Sequence, residues 1–353
     1  MTDRTDRSIT RRAALQGGAA LAGAFAFSRW SAALPASGPD RPALVVFWLN
    51  GGPAGLFNSA GSFLSNGAFG VTARNVRDLG NGLIVDAGSL GALPATARGH
   101  MASINFRHGV VRPHEHARAA VLEVGPRSQL LRVAALLPPA PVRCAVVNDL
   151  GLPVGVSSDP QAEDGVRLAR VLDLDAAGPA VAPAVAQEVR DAYGVPAGSA
   201  SVRDQRSTFA AVELLLRSGA GVVFAQPAYT GRADRQFDTH EDDAGVAARA
   251  VMAPITPSLA AFLDRALAMP GRNVVTVLAG EFSRTIPRSD HEPGGTATVI
   301  GRFVKTGTAG PQRPDGAPPE NAPPVEKLWA YVAAALRLSG SAFGSNPNPE
   351  LVV

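Results

Sequence analysis

Acidic and histidine side chains follow two strand-like segments of the sequence, and their types suit metal chemistry. Asp238 and His240 follow one apolar run, and Asp290 and His291 follow the next. Carboxylate oxygens and imidazole nitrogens are ligands for Zn²⁺, Mn²⁺ and similar ions, and parallel sheets bind ligands beyond the carboxyl ends of their strands. The pattern therefore predicts a divalent metal site, for Zn, Mn or Ca, at these four residues. In the alternative, the aspartates cap turns and the histidines are ordinary surface residues.

A second pair of histidines lies at a predicted boundary between a loop and a helix. His114 and His116 are separated by Glu115 alone. We expect them to be candidate accessory ligands of the same cleft. The alternative is that they belong to a solvated, polar helix terminus.

Other catalytic motifs are absent from the sequence. There is no G-x-S-x-G, no P-loop and no G-x-G-x-x-G after a strand, so neither an α/β-hydrolase nor a nucleotide cofactor is predicted. The one cysteine, Cys144, lies in an apolar, strand-like run. It therefore indicates a buried structural thiol rather than a nucleophile.

The elements that must position these residues are short apolar strands that alternate with amphipathic helices. This pattern predicts an α/β fold with a mainly parallel central sheet and helices on both faces. Residues 51–110 are rich in Gly, Ser and Asn and predict long loops or an irregular insertion, and 307–324 predict a loop. The predicted strands are 43–50, 142–148, 221–226, 273–279 and 298–304, and the predicted helices are 207–217, one from an N-cap at Thr256 to Pro270, and one from Pro324.

The first 36 residues have the pattern of an export signal. Four arginines precede an apolar run, and Arg11-Arg12 lies in a sequence similar to a twin-arginine signal. We therefore expect export to the periplasm or beyond through the twin-arginine translocase. Residues 37–42 are predicted to be a linker and 43–353 a single domain, with no later segment able to span a membrane.

Net charge excludes one class of partner. The full chain carries +3, with 33 Lys and Arg against 30 Asp and Glu. Residues 1–36 hold five arginines and two aspartates, so the rest of the chain has 28 basic and 28 acidic residues. The basicity therefore belongs to the signal, and neither nucleic acid nor an anionic membrane is an expected partner.

Several motifs together resemble a known family. The GGP turn, FDTHE, GEFSRT and SDHEP segments and the VIGRFVKTG strand occur in an order similar to DUF1501, an exported family of unknown function in the alkaline phosphatase-like (sulfatase-like) superfamily. The similarity covers most of residues 43–350 and is most specific over 210–307. It implies an alkaline phosphatase-like fold.

The resemblance also implies roles for individual residues. Glu281 and Arg284 match a Glu-Phe-Gly-Arg-Thr motif, with Ser283 in place of its Gly. The match makes both of them candidate catalytic residues, and Arg284 would hold an anionic substrate. The family's usual Asp after the Gly-Gly turn is missing here, where Asn50 and Asn58 are the nearest polar substitutes, and no histidine follows His291.

Two functions remain open at this stage. The first is a metal-dependent hydrolase of phosphate or sulfate esters, acting on an anionic small molecule or a glycan ester. Its nucleophile is not identified, although Ser59 and Ser62 lie near the expected place. The second is a non-catalytic periplasmic protein that keeps the fold and uses the cleft to bind a ligand or partner.

Overall fold

Apolar, β-branched runs form a central sheet. The structure, a computed structural model, describes residues 40–52, 54–124, 127–148, 166, 168–227, 237–338 and 342–353. The predicted signal, and the predicted linker up to residue 39, lie outside these residues. The described strands are β1 (Arg41–Trp48), β2 (Val76–Asp78), β3 (Ile84–Asp86), β4 (Met101–Arg107), β5 (Glu123–Val124), β6 (Arg127–Ser128), β7 (Cys144–Val147), β8 (Leu168–Val171), β9 (Val222–Ala225), β10 (Arg272–Ala279), β11 (Ser283–Thr285), β12 (Asp290–Glu292), β13 (Gly294–Ile300) and β14 (Gly307–Thr308).

Eight of these strands form one mixed sheet, in the order β14-β4-β13-β10-β1-β9-β7-β8. Five of the seven neighbouring pairs are parallel, and β13 alone among these eight runs opposite to the rest. The fold is therefore α/β, as predicted, with a mixed rather than a wholly parallel sheet. Three short hairpins, β2-β3, β5-β6 and β11-β12, lie outside the sheet.

Helices cover both faces of the sheet. Alternate residues of β1 point to opposite faces, so Val45 and Phe47 join one apolar core, while Val46 and Trp48 join the other. The described α-helices are α1 (Ala54–Asn58), α2 (Ala95–Arg98), α3 (His114–Leu122), α4 (Gln129–Leu136), α5 (Leu174–Ala177), α6 (Pro183–Ala192), α7 (Gln205–Arg217), α8 (Val246–Leu267) and α9 (Glu326–Ala335).

The strand directions bring several loops to one edge. Strands β4, β10, β1 and β9 all end at this edge, and the antiparallel β13 begins there, with Trp48 of β1 level with Ala279 of β10. The segments after β1, β4, β9 and β10 therefore lie close together.

Most predicted elements are confirmed. Four of the five predicted strands match β1, β7, β9 and β10, and the helices predicted at 207–217 and after Pro324 match α7 and α9. Cys144 is fully buried in β7, where burial raises the pKa of its thiol to about 12. This agrees with a structural role.

Three predictions about strands and the linker are wrong. Residues 51–110 contain short helices and a hairpin, but also β4, a strand of the main sheet. Its Asn105 is polar and buried, because its amide donates to the carbonyl oxygens of Ala309 and Gly310 at 2.8 and 3.0 Å. The strand predicted at 298–304 begins four residues earlier, at Gly294. The predicted linker ends too late, because Arg41 already pairs with Arg272.

The predicted start of the helix at Thr256 is also wrong. Helix α8 begins ten residues earlier at Val246 and continues through Pro254 and Pro257. An internal proline costs about 3 kcal/mol, but the buried Met252, Leu259 and Phe262 anchor the helix in the core. By length and composition α8 is also long and apolar enough to cross a membrane, contrary to expectation.

A buried ionic network joins α6, α7 and α8. The fully buried carboxylate of Glu213 accepts hydrogen bonds from Arg217 Nε at 2.7 Å, Arg265 Nε at 2.8 Å and Tyr193 OH at 2.8 Å. Burial raises the pKa of Glu213, but the hydrogen bonds from these three partners outweigh it, so its pKa lies below the ordinary value of 4.5.

We predict that Glu213→Gln lowers the free energy of unfolding at pH 7 by about 1–3 kcal/mol, because it removes the buried carboxylate that accepts from two partly exposed arginines and from Tyr193. Since the folded pKa is depressed, the stabilisation by Glu213 is complete above the unfolded pKa and disappears as the pH falls through the folded value. Urea unfolding from pH 7 to pH 3 should therefore show a steeper loss of stability in the wild type than in the variant. Parallel curves would contradict this prediction.

Candidate metal centre

Three separate segments bring four side chains together at the shared edge of the sheet. His114 is the first residue of α3, Asp238 and His240 follow β9 along the chain, and His291 is the central residue of β12. One ligand atom of each of the four lies within 4.8 Å of the others. The exposed fraction of the side chain falls from 44% at His240 to 5% at His291, so the cluster opens to solvent beside His240.

The spacing of these atoms suits one metal ion. Asp238 Oδ1 lies 3.0 Å from His240 Nε2, 3.6 Å from His114 Nε2 and 3.7 Å from His291 Nε2. In a tetrahedral zinc site with bonds of about 2.0–2.1 Å, the ligand atoms lie about 3.4 Å apart. The three distances bracket that value. Three nitrogens and one carboxylate oxygen form a donor set for Zn²⁺ or Mn²⁺.

His291 gives an independent reason to expect a ligand. The residue is buried, and neither ring nitrogen has a hydrogen-bond partner among the described residues. Phe282 stacks on its ring at 4.1 Å between centroids and an angle of 8°, which fixes the plane of the ring. A buried polar group without a partner is costly. A metal ion would satisfy one of these nitrogens.

Glu281 orients His114. The fully buried Glu281 accepts, through Oε1, hydrogen bonds from His114 Nδ1 and from the backbone N–H of Gly51, both at 2.8 Å. A carboxylate must receive a proton donor, so Nδ1 of His114 carries the hydrogen and the lone pair of Nε2 is directed to the cluster. Carboxylate–histidine pairs of this kind support metal ligands in many proteins. Glu281 is thus a positioning residue rather than the catalytic residue expected from the sequence.

Arg284 is bound to groups of the protein itself, whereas the resemblance implies that it holds a substrate. Its side chain is 1% exposed, and its guanidinium donates to Asp238 Oδ1 at 2.7 Å, to the carbonyl of Gly51 at 2.6 Å and to that of Ser289 at 3.0 Å. These bonds consume its donors. Through these hydrogen bonds Arg284 connects the Asp238 segment and the β11-β12 hairpin to the turn after β1.

The charges around Asp238 keep it ionised. Burial raises the pKa of Asp238, but the His291 ring and the Arg284 guanidinium outweigh that effect and hold the pKa well below its usual range. Burial, followed by the positive charge of Arg284, lowers the pKa of His240. A deprotonated carboxylate and a neutral imidazole are the forms that bind a metal.

Gly51 permits the close approach of these segments. Its φ is +94°, and a Cβ at this position would lie 2.3 Å from the backbone nitrogen of Asp238. The Gly-Gly pair after β1, interpreted from sequence as a turn, therefore also packs directly against the segment that carries Asp238.

We predict that Gly51→Ala displaces Asp238 and weakens metal binding by at least about tenfold, with about 1–3 kcal/mol of backbone strain. Gly80→Ala is the matched control, because Gly80 has φ +93° but no atom within 4 Å of the added Cβ. Metal titration and thermal unfolding of both variants measure the two effects. Equal metal affinity in the two variants would contradict the steric account.

Two predicted ligands do not belong to the cluster. Adjacent residues of a strand point to opposite faces, so Asp290, next to His291 in β12, is directed away and pairs with Arg112 at 3.3 Å. In α3 a separation of two residues corresponds to about 200°, so His116 is exposed while His114 points inward.

The asparagines and serines suggested from the sequence lie in other contacts. Asn50 accepts a hydrogen bond from Arg118 Nη2 at 2.8 Å. The buried Asn58 donates to Thr298 at 3.0 Å and accepts from Thr296 at 2.7 Å, both in β13. Ser59 donates to Asn58 at 3.4 Å, and the hydroxyl of Ser62 is buried without a described partner. None of these contacts places a serine nucleophile at the cluster.

His108 is a residue of this region that sequence analysis missed. Its Nε2 lies 2.7 Å from the carbonyl oxygen of Glu281, and burial lowers its pKa. Its position directly after β4 would have indicated a site residue. The sequence analysis missed it because β4 itself was not predicted.

Comparisons with known proteins give one distant similarity. No family model and no curated protein matches the chain. Among solved structures, the chain is similar to the phosphonate monoester hydrolase SpPMH from Silicibacter pomeroyi, at 11% identity and a TM-score of 0.36, over 89% of this chain and 76% of that one. A similarity this distant supports no conclusion about function.

Proposed function

We propose that the chain is a metal-dependent hydrolase of phosphate or sulfate esters, built on an alkaline phosphatase-like fold. The observation that carries this proposal is the convergence of His114, Asp238, His240 and His291 at the carboxyl edge of the sheet. Such an edge is where α/β proteins bind their ligands. The motifs that resemble DUF1501 also supply three of the four residues.

The chain's own residues prepare the site for one ion. A divalent metal bound there supplies Lewis acidity and stabilises negative charge on the ester. Glu281 fixes the ring of His114, Arg284 fixes the carboxylate of Asp238, and Phe282 fixes the ring plane of His291. The side chains therefore need little reorganisation when the ion binds, which favours affinity and rate.

The cellular context is part of the proposal. Membership of DUF1501, export through the twin-arginine translocase and a periplasmic location are supported by the sequence motifs alone. That pathway carries folded proteins, so the metal centre would be assembled before export. The substrate would be an anionic small molecule or an ester on a glycan.

Activity of the full chain tests the proposal. Loaded with Zn²⁺ or Mn²⁺, the protein should hydrolyse an aryl phosphate or an aryl sulfate, and His291→Ala should abolish both turnover and metal binding. His100→Ala is a control at a histidine that bonds the carbonyl of Val304 instead. Full turnover by His291→Ala, or by metal-free protein, would refute the proposal.

One observation favours a second function. Ser59 bonds to Asn58, the hydroxyl of Ser62 has no partner among the described residues, and Arg284 is already bound to Asp238. A periplasmic protein that binds a ligand or partner through this centre, without turnover, is the alternative. Stoichiometric metal with no hydrolysis of either ester class would support it.

A further inference from the structure

Arg118 is a cation beside the metal centre that no carboxylate of the described residues contacts. It lies one turn after His114 on α3, and residues four apart on a helix share a face with their Cβ atoms about 5–6 Å apart. Its Nη2 donates to the neutral amide oxygen of Asn50 at 2.8 Å, directly before the Gly51 turn. Among the described residues no acid forms an ion pair with Arg118, and its Nε is buried without a hydrogen-bond partner.

Other arginines near the centre differ from Arg118. Arg284 is bound to Asp238, and Arg112 is paired with Asp290. Arg118 is partly exposed, and it lies on the same face of α3 as His114. A guanidinium with free donors matches two oxygens of one phosphoryl group.

The helix adds a second source of positive potential. α3 has nine residues, and His114 is its first, so the N-terminus of the helix lies at the cluster. Pro113 at the N-cap makes no side-chain hydrogen bond to the first turn. Helix N-termini attract anions through unsatisfied N–H groups and the helix dipole.

Charges at the site discriminate between ester classes. Arg284 pairs with Asp238, and in a count of net charge the positive charge of Arg118 offsets the negative charge of the second carboxylate, Glu281, although the two are not in contact. A divalent ion held by neutral histidines therefore leaves an excess of two positive charges. Phosphate monoesters are largely dianionic at neutral pH, with a second pKa of about 6, whereas sulfate monoesters carry one charge.

We propose that Arg118 and the N-terminus of α3 form the anion subsite of this centre, and that its substrate class is the dianionic phosphate monoester rather than the sulfate ester. The assignment rests on the proposed metal-dependent function. Asn50 is part of the subsite, because it holds the guanidinium in place without neutralising it. This role replaces the one that the sequence motifs implied for Arg284.

Two isosteric probes that are not hydrolysed test the subsite. Calorimetric titration of the full, zinc-loaded chain at pH 8 compares phenylphosphonate, a dianion, with benzenesulfonate, a monoanion. We expect phenylphosphonate to bind at least about tenfold more tightly. Arg118→Gln should weaken phenylphosphonate binding by about 10- to 100-fold, as for the loss of a charge-assisted hydrogen bond, and leave benzenesulfonate nearly unchanged.

Control variants separate the possible failures. Arg112→Gln removes a neighbouring, paired arginine and should bind phenylphosphonate as the wild type does. Arg118→Lys should recover part of the affinity, because it restores charge without the planar fork. Zinc content and thermal unfolding should be unchanged in all three variants.

Each outcome then has one meaning. Equal binding of phenylphosphonate by zinc-loaded wild type and Arg118→Gln overturns the anion subsite and leaves the metal centre intact. Preference for benzenesulfonate overturns the substrate class. A wild-type chain that takes up no metal overturns the proposed function, and the subsite assignment with it.

Discussion

Asp238→Asn is expected to remove metal binding and any metal-dependent turnover. Asp238 is the one carboxylate of the four-residue cluster, and its Oδ1 lies within 3.7 Å of a nitrogen of each histidine. An amide of the same shape keeps the packing but removes the negative charge that attracts the ion. Loss of a supporting residue costs about 10- to 100-fold in metal affinity, so loss of this ligand should cost more than 100-fold.

The same substitution also leaves Arg284 buried without its counter-charge, which should lower stability by about 3–5 kcal/mol. Metal affinity must therefore be measured under conditions in which circular dichroism shows that the variant is folded. Asp290→Asn is the matched control, because Asp290 pairs with Arg112 outside the cluster. A folded Asp238→Asn protein that binds zinc as the wild type does would contradict the assignment of this ligand.

Glu281→Gln is expected to weaken metal binding by about 10- to 100-fold, mainly through His114. Glu281 accepts the Nδ1 proton of His114 at 2.8 Å. A glutamine can present either its oxygen or its NH₂ group, so the ring is no longer held in one tautomer. Metal affinity should fall because the lone pair of Nε2 is then available for only part of the time.

Nitrogen NMR of the metal-free protein distinguishes the Nδ1-protonated from the Nε2-protonated form of His114. In the wild type we expect His114 to be protonated at Nδ1 with an unprotonated Nε2, and in Glu281→Gln a mixture of both forms. Glu115→Gln, at the neighbouring exposed position of α3, should change neither the tautomer nor the metal affinity. Protonation of wild-type His114 at Nε2 would show that Glu281 does not have this positioning role.

The sequence was sufficient for the strands that are apolar on both faces. β1, β7, β9 and β10 are largely apolar, and their carboxyl ends correctly indicated where Asp238, His240 and His291 meet. It was insufficient where tertiary contacts outweigh local pattern. β4 carries the buried Asn105, whose partners are far along the chain, and α8 continues through two prolines because its apolar side is anchored in the core.

For the candidate site, too, the sequence predicted the residue types but not which of them face the cluster. Asp290 and His291 look equivalent as an Asp-His pair, but a strand separates them onto opposite faces, and sequence alone did not place that strand. His114 and His116 looked equivalent until the helix put them about 200° apart. The roles of Glu281 and Arg284 depend on partners more than 40 residues away, which no local motif reveals.

The most direct test of the metal centre is the stoichiometry of bound metal, measured by mass spectrometry after equilibrium dialysis of the full chain against Zn²⁺ or Mn²⁺. We predict one ion per wild-type chain, loss of that ion in His114→Ala and retention in His116→Ala. A wild-type chain without metal, or equal metal in the two histidine variants, would contradict the four-residue centre.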